Sequence, residues 1–405
     1  MKTIESSIRA IIKTDPSEKK NIGTFTAIHT NPLVNKYLYS YLNKNLVDKK
    51  GYKSLVIFEE VIDKFFKELF QYEHGTTIVT SGSTESVLLA FHYAREQARD
   101  KKGITKPNML IPEHAHYSLP RCAKMLNIEV REVAVTDECT TDVEDARKKV
   151  DENTILIVGV MGSTELGVID DLVGLNQIAA EHETGLHIDA AISGFVIPFL
   201  ETNIHYKFSQ LSNLMSMNVS GHKFGLSLCG CGVLMIRDKR IIEKYAESID
   251  YLSSGAKKMD NFMVTSSALG VFSMGTNIMY YGINGYKNFA KEYMATKTKL
   301  LKGLIKLGWD CYAGAEYAPQ LFIYGEDVEK LSEFLELKGW VQHVYKAKGF
   351  KHAGLRVVIK KGSETRLQHE FLDDVAQFSN FGTKRPEVAA WKVQHIVTPP
   401  VTLEQ

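Results

Sequence analysis

Short apolar segments that alternate with helical patterns constrain the fold of this chain more than any other feature. The segments predicted as strands are Thr76–Thr80, Asn108–Ile111, Glu129–Val135, Ile155–Val160, Gly185–Ile188, Met215–Val219 and Gly232–Ile236. Helical stretches such as Leu172–His182 lie between them. Nearly continuous apolar strands are typical of sheets that are buried on both faces. The pattern therefore predicts an α/β fold with a mostly parallel central sheet flanked by helices.

The chain is predicted to divide into four parts. Its 405 residues are enough for a large core and for two domains. We expect an N-terminal arm in residues 1–50, a large domain in 51–285, a small C-terminal α+β domain in 286–380 and a tail in 381–405. The small domain is predicted because a long helical stretch, Tyr286–Leu307, precedes alternating strand-like and helical pieces.

Composition excludes several kinds of partner. The 49 Lys and Arg residues balance 48 Asp and Glu residues, so no basic surface for nucleic acid is expected. No apolar run is long enough to span a membrane. Five cysteines form no disulfide framework and are typical of a reducing cytosol. This cysteine usage leads us to expect a cytoplasmic protein. Cys229 and Cys231 lack a second ligand pair for zinc, so we expect no bound metal.

Ser83 and Thr84 follow the first predicted strand, at the point where a helix begins. The free N–H groups and positive end of a helix attract a phosphate there, and both hydroxyls can donate to it. An ordinary Ser/Thr N-cap is the commoner explanation for such a segment taken alone. The segment thus predicts a phosphate site only if other parts of a cofactor site accompany it.

Asp189 and Lys223 are two such parts. Asp189 ends a predicted strand, and the carboxyl ends of strands in an α/β sheet face the ligand crevice. It could equally be a helix N-cap before Ala190. Lys223 lies in a polar turn, Ser220–Gly225, between two apolar runs, although a lysine is by default a surface residue.

Together these residues meet the needs of pyridoxal phosphate (PLP). Lys223 supplies an amine for a Schiff base, Asp189 a carboxylate for the pyridinium nitrogen, and the hydroxyl-rich turn a phosphate site. Ser220 and His222 could also contact the phosphate. Burial beside such a site lowers the pKa of a lysine, as a Schiff base requires.

Two further side chains are candidates for the same site. His116 follows a predicted strand and could stack on the pyridine ring, although most isolated histidines in loops have no special role. Arg356 lies in an apolar strand, where it could bind a carboxylate bidentately or face solvent at a sheet edge.

From about Asn31 to Phe378 the chain resembles the group II PLP-dependent amino-acid decarboxylases, and it looks most like the compact archaeal-type L-tyrosine/L-aspartate decarboxylases. The matching motifs are Ser81–Glu85, His114–Ser118, Val158–Asp171, His187–Phe199 and Asn218–Lys223. The chain departs from the family pattern at Val87, Ile192, Ser193 and Ala268.

The resemblance implies a fold type I PLP-dependent transferase that acts as a homodimer. It implies that Thr164 lies near the cofactor ring and that Ala191 packs on it. Ser267 could reach a phosphate across the dimer interface, and Tyr251 is a candidate proton donor. The implied reaction is decarboxylation of an L-amino acid with an aromatic or acidic side chain.

Two other functions stay open from the sequence. One is another PLP carbanion reaction, such as the C–C cleavage of sphingosine-phosphate lyase, which shares the scaffold. The other is a PLP-binding regulatory protein without activity. The presence of Lys223, Asp189 and His116 argues against the second of these.

Overall fold

The computed structural model describes residues 2–249, 257–259, 261–312 and 314–380. The helices are α1 (Lys2–Ile12), α2 (Pro32–Tyr37), α3 (Lys53–Phe70), α4 (Ser83–Lys102), α5 (Ser118–Met125), α6 (Val143–Lys149), α7 (Leu172–Glu181), α8 (Lys239–Tyr245), α9 (Leu269–Lys306), α10 (Val328–Leu337), α11 (Glu364–Arg366) and α12 (Leu372–Asn380). The strands are β1 (Thr76–Thr80), β2 (Asn108–Pro112), β3 (Glu129–Val133), β4 (Thr154–Val160), β5 (Gly185–Asp189), β6 (Leu214–Ser220), β7 (Gly232–Ile236), β8 (Glu247–Ile249), β9 (Lys257–Met259), β10 (Asp310–Cys311), β11 (Gln320–Tyr324), β12 (Val344–Lys346) and β13 (Ala353–Val358).

The predicted α/β fold is confirmed. A seven-stranded sheet has the order β1-β7-β6-β5-β4-β2-β3. Its strands β3, β2, β4, β5 and β6 are parallel, and β7 runs antiparallel to both β1 and β6. The five parallel strands therefore end at one edge of the sheet, which is where an α/β fold binds its ligands.

Both faces of this sheet are covered. Strands β2 and β4 are buried at every position, as their nearly continuous apolar sequences predict. One face packs against α3, α7 and α9 and the other against α4, α5 and α8. Phe65, Phe66 and Phe70 of α3 are buried on the first face. Burial of each such ring stabilises the fold by about 1.5–3 kcal/mol.

A second, antiparallel sheet of four strands, β10-β11-β13-β12, lies in the C-terminal part. The N-terminal segment crosses to it, since Ile22 accepts a hydrogen bond from the Val358 amide (2.9 Å) and donates to Val341 (3.0 Å). Helix α9 runs through the predicted boundary at residues 285 and 286. The division into four parts stays a prediction, and the predicted tail, 381–405, lies outside the described residues.

Helix α9 begins 17 residues before the predicted start at Tyr286 and contains a break at Gly282 (φ 55°, ψ −168°). Glycine disfavours helices, so the glycines of this stretch hid the helix in the sequence. Gly275 shows why one of them is there, because a Cβ atom at this position would lie 2.5 Å from the Phe58 ring. Packing against α3 thus outweighs the low propensity.

Two further observations bear on partners. Among the described residues, no helix is both long and apolar enough to cross a membrane. The same part of the chain holds no group of three or more His, Cys, Asp or Glu side chains with the geometry of a metal site.

Candidate active site at the carboxyl edge of the sheet

A cavity of about 350 Å³ opens at the carboxyl ends of the parallel strands. Its lining includes Ser83, Thr84, Ser220 and His222, which come from the start of α4, the end of β6 and the turn after it. The structure therefore brings together the four side chains that the sequence predicts for a phosphate.

The hydroxyls of Ser83 and Thr84 do not cap the start of α4. The N-cap is Gly82, and no side chain caps this end, so Ser83 and Thr84 are the first two helical residues rather than N-caps. The Ser83 Oγ lies 2.8 Å from the Ser220 Oγ. A Cβ atom on Gly232 would lie 2.4 Å from the Gly82 backbone, so this close approach of β7 requires glycine. Two hydroxyls and a helix N-terminus thus converge, as a phosphate requires.

The lining also includes five further predicted residues, namely His116, Thr164, Asp189, Ala191 and Lys223. Asp189 is buried, and its Oδ1 accepts hydrogen bonds from the Ala191 amide (3.0 Å) and the Asn218 side-chain amide (2.8 Å). Within the described chain no hydrogen bond reaches its Oδ2. One carboxylate oxygen is therefore held in place while the other is available at the cavity, as a ring nitrogen would need.

Lys223 is half-buried, and no described residue forms a hydrogen bond with its Nζ. Burial lowers the pKa of Lys223 to about 8; the negative charge of Asp189 opposes this effect and the positive charge of Arg356 adds to it. A larger fraction of this amine is neutral at physiological pH than of an ordinary lysine. Lys223 can thus act as a nucleophile toward an aldehyde.

His116 is fixed by its own loop. Its Nδ1 accepts a hydrogen bond from the Ser118 amide (3.3 Å) and lies 2.8 Å from the Ser118 Oγ. Burial lowers the pKa of His116, so the ring is neutral and carries its proton on Nε2. His114 is directed elsewhere, because its Nε2 bonds the buried Asp170 carboxylate (3.0 Å).

Arg356 contacts the cavity wall without lining the cavity itself. Its guanidinium donates to the carbonyl oxygens of Thr164 (2.5 Å) and Gly23. The guanidinium carbon lies 4.6 Å from the centroid of the Phe25 ring, and the Lys223 Nζ lies 5.5 Å from the same centroid. The Arg356 Nε is buried without a hydrogen-bond partner in the described chain. A cation fixed this close to the Lys223 amine is a suitable partner for a carboxylate.

Residues 1–308 match the pyridoxal-dependent decarboxylase conserved domain. The chain belongs to the pyridoxal-dependent decarboxylase family. It is 29% identical over 363 residues to an L-aspartate decarboxylase of Thermococcus kodakarensis, covering 87% of this chain and 90% of the relative. It is 30% identical over 278 residues to a probable L-tyrosine/L-aspartate decarboxylase of Methanosphaerula palustris, covering 69% and 75%.

Solved structures show the same fold. A glutamate decarboxylase of Lactobacillus brevis superposes with a TM-score of 0.86 at 24% identity, covering 95% of this chain and 93% of that one. A sphingosine-1-phosphate lyase of Burkholderia pseudomallei superposes with a TM-score of 0.82 at 19% identity, covering 93% and 90%. The decarboxylase therefore has the predicted fold type I architecture, with PLP as its cofactor.

The cavity fits that cofactor. The hydroxyls of Ser83 and Ser220 would hold the phosphate, the free Oδ2 of Asp189 would hold the ring nitrogen, and Lys223 would bond the aldehyde. These roles of the individual residues stay predictions.

Ser267 and Tyr251 differ from the other predicted residues, since the structure places the first outside the cavity and does not describe the second. Ser267 is exposed, its Oγ accepts a hydrogen bond from the Leu269 amide (3.2 Å), and it does not line the cavity of its own chain. The predicted contact of Ser267 with a phosphate across a dimer interface stays a prediction. Tyr251 lies outside the described residues.

Glu85 was missed as a residue that shapes the site. Its carboxylate accepts hydrogen bonds from the Ser81 amide (2.6 Å) and from the amides of Phe262 (2.9 Å) and Met263 (3.2 Å). Glu85 thus braces the phosphate turn against the segment before α9. The sequence signal was a glutamate in the first turn of a predicted helix, and it did not reveal the distant partners Phe262 and Met263.

Proposed function

We propose that this enzyme removes the α-carboxylate of an L-amino acid with an acidic or aromatic side chain. The observation that carries the proposal is the setting of Arg356, a cation that two backbone carbonyls fix and that contacts the same Phe25 ring as the Lys223 amine. A free carboxylate is the group in an amino acid that this arrangement would bind.

Each residue of the site then has a distinct task. PLP, when bound, supplies an electron sink for the electron pair that the departing carboxylate leaves. Asp189 would keep the ring nitrogen protonated, and His116 would cover one face of the ring. Lys223, whose pKa burial lowers to about 8, would supply the amine that bonds the cofactor aldehyde. Arg356 orients the carboxylate that is lost.

The choice of substrate rests on the relatives. Those reported above are named for L-aspartate and for L-tyrosine/L-aspartate, and a relative from Pyrococcus horikoshii, 26% identical, is named for L-aspartate and L-glutamate. We therefore favour these three amino acids. The cavity walls at Val87 and Ile192 depart from the family pattern, and these apolar side chains would contribute to the selection.

The test is a panel of free L-amino acids and their methyl esters, with carbon dioxide and the product amine measured together. We expect equal amounts of both products from aspartate, glutamate or tyrosine, and none from the corresponding ester. C–C cleavage to an aldehyde without carbon dioxide would instead support the lyase chemistry named for the Burkholderia structure. Esters that react as well as free acids would overturn the role of Arg356.

The enzyme is further proposed to be a homodimer. Helix α1 exposes Ile4, Ile8, Ile11 and Ile12, which lie on one face of the helix at i, i+4, i+7 and i+8. A second exposed apolar group is formed where α2 packs on α9 and includes Tyr37, Met279, Tyr280 and Ile283. Apolar surface of this extent is typical of an interface between subunits.

Light scattering tests the dimer, which we expect at working concentration. Ile8→Glu together with Ile12→Glu should weaken it, whereas Lys13→Glu beside them changes charge alone and should not. A fully active monomer would contradict the proposal and the role of Ser267 across the interface. We also propose a cytoplasmic location, which the five free thiols support.

A further inference from the structure

A line of hydrogen bonds runs behind Asp189 through the centre of the sheet. Strands β5 and β6 are paired so that His187 lies opposite Ser216 and Asp189 lies opposite Asn218. Alternate residues of a strand share a face, so the four side chains stand together on one side of the sheet. Ser216, His187 and Asn218 are completely buried, and Asp189 is 7% exposed.

Three contacts of 2.8 Å connect these side chains in sequence. The Ser216 Oγ meets the His187 Nδ1, the His187 Nε2 meets the Asn218 Oδ1, and the Asn218 Nδ2 meets the Asp189 Oδ1. Every side-chain nitrogen and oxygen between Ser216 and Asp189 therefore has a partner. A buried polar chain with all its members satisfied is rigid and fixes one arrangement.

The chemistry of the groups fixes the direction of each bond. A carboxylate only accepts, so Asn218 must present its NH₂ to Asp189 and its carbonyl to His187. His187 must then donate from Nε2. Burial lowers the pKa of His187 to about 4, so the neutral ring has a bare Nδ1 that accepts from the Ser216 hydroxyl. All three donors thus point toward the Asp189 carboxylate.

We propose that Asn218 and His187 are positioning residues that hold the Asp189 carboxylate in its orientation at the cavity. Without the N–H of His187, the Asn218 amide could turn its carbonyl toward the carboxylate, and the two oxygens would repel each other. The proposal rests on the role of Asp189 in the proposed function. It adds two buried side chains, those of Asn218 and His187, to the residues on which that role depends.

The test uses the full chain loaded with PLP labelled with ¹⁵N in the ring. The nitrogen chemical shift reports whether the ring nitrogen is protonated, independently of turnover. His187→Met and Asn218→Leu keep similar volumes but remove the donors. We expect both to move the nitrogen signal toward the unprotonated value. We also expect kcat to fall about 10–100-fold, the usual effect of losing a partner that orients a ligand.

Two further variants separate positioning from structural support. His187→Gln places an amide N–H near the position of Nε2, so it should restore most of the nitrogen signal and of kcat. Asn108→Leu is the matched control, because Asn108 is equally buried in the sheet and bonds Asp151 and Thr154 instead. It should lower the unfolding midpoint and leave the nitrogen signal unchanged. If His187→Gln behaved as His187→Met does, the role of the His187 N–H would be overturned.

Asp189→Asn serves as the reference for the underlying role. If it left the nitrogen signal unchanged, Asp189 would not be the partner of the ring, and the proposed function of that residue would fail. If it shifted the signal while His187→Met and Asn218→Leu did not, only the positioning proposal would fail. A variant that does not fold is replaced by Ser216→Ala, which removes the last donor and should give a smaller shift in the same direction.

Discussion

The cofactor side and the substrate side of the cavity are built in different ways. On the cofactor side, Ser83, Asp189 and Lys223 follow strand ends of one sheet. On the substrate side, the bonds of Arg356 span 192 residues to Thr164 and 333 residues to Gly23. The first side is therefore set mainly by the strands of one sheet. The second exists only when the N-terminal segment and the C-terminal sheet both pack against the large sheet.

This difference teaches where substitutions should act. A change on the cofactor side should alter the chemical step and leave substrate affinity almost unchanged. A change on the substrate side should alter KM and leave the spectrum of the bound cofactor unchanged. The following predictions test that separation, beginning with the largest expected effect.

Asp189→Asn should lower kcat by about 10²–10³-fold, the usual cost of removing a preorganised electrostatic group. The amide keeps the shape of the side chain, so the cofactor should still bind. Steady-state kinetics and a titration of apoenzyme with PLP measure the two quantities separately. Near-normal turnover would exclude Asp189 as the partner of the ring nitrogen.

Arg356→Ala should raise KM by roughly 30-fold or more, because removal of one partner of a buried charged pair costs about 2–5 kcal/mol. The absorbance of the bound cofactor should not change. Arg356→Lys is the matched control, since it keeps the charge but loses the planar guanidinium. Its KM should lie between those of the unaltered enzyme and of Arg356→Ala. A lower kcat with an unchanged KM would show that Arg356 acts on the chemical step and does not bind the substrate carboxylate.

Lys223→Met should stabilise the apoenzyme at pH 7 by an amount of order 1 kcal/mol. The pKa of Lys223 falls from 10.5 to about 8 on folding, so the buried charge opposes folding fully below pH 8. That effect is lost as the pH rises from 8 toward 10.5, and the two proteins should then converge in denaturant unfolding.

Lys297→Met is the control for this effect. Burial also lowers the pKa of Lys297 to about 8, but its Nζ donates to the carbonyls of Ala315 and Ala318. Its loss leaves those carbonyls unsatisfied, so the variant should be destabilised. Equal effects of the two substitutions on the free energy of unfolding would contradict the view that the Lys223 ammonium is buried without hydrogen-bond partners among the described residues.

Tyr345→Phe should have the smallest effect. Its hydroxyl donates to the Glu165 carbonyl (3.2 Å) and joins the C-terminal sheet to the loop that carries Thr164. The loss of one such bond costs about 0.5–1.5 kcal/mol, so KM should rise a few-fold with kcat unchanged. An altered cofactor spectrum would show that the two sides are coupled.

The same difference explains what the sequence could reveal. Asp189, Lys223 and Ser83 each stand beside a strand with a local signature, so the phosphate turn and the carboxyl edge were predictable. The sequence also revealed Arg356 as a candidate. Its partners Gly23 and Phe25 were not predicted, because only the packing of distant segments brings them together.

Two other features were hidden for related reasons. Residues 269–285 form the first half of α9 through packing against α3, although their glycines disfavour a helix. The network behind Asp189 depends on the pairing register of β5 and β6, which sets His187 opposite Ser216. Propensity and periodicity report neither a tertiary contact nor a register between strands.

The most direct test of the account is borohydride reduction of the PLP-loaded enzyme followed by peptide mapping. Among the described residues that line the cavity, Lys223 is the one lysine, and it lies there with Asp189 and the phosphate turn. We predict a phosphopyridoxyl label on the peptide that contains Lys223 and its loss in Lys223→Met. A label on another lysine, with Lys223 unmodified, would contradict the assignment of the site.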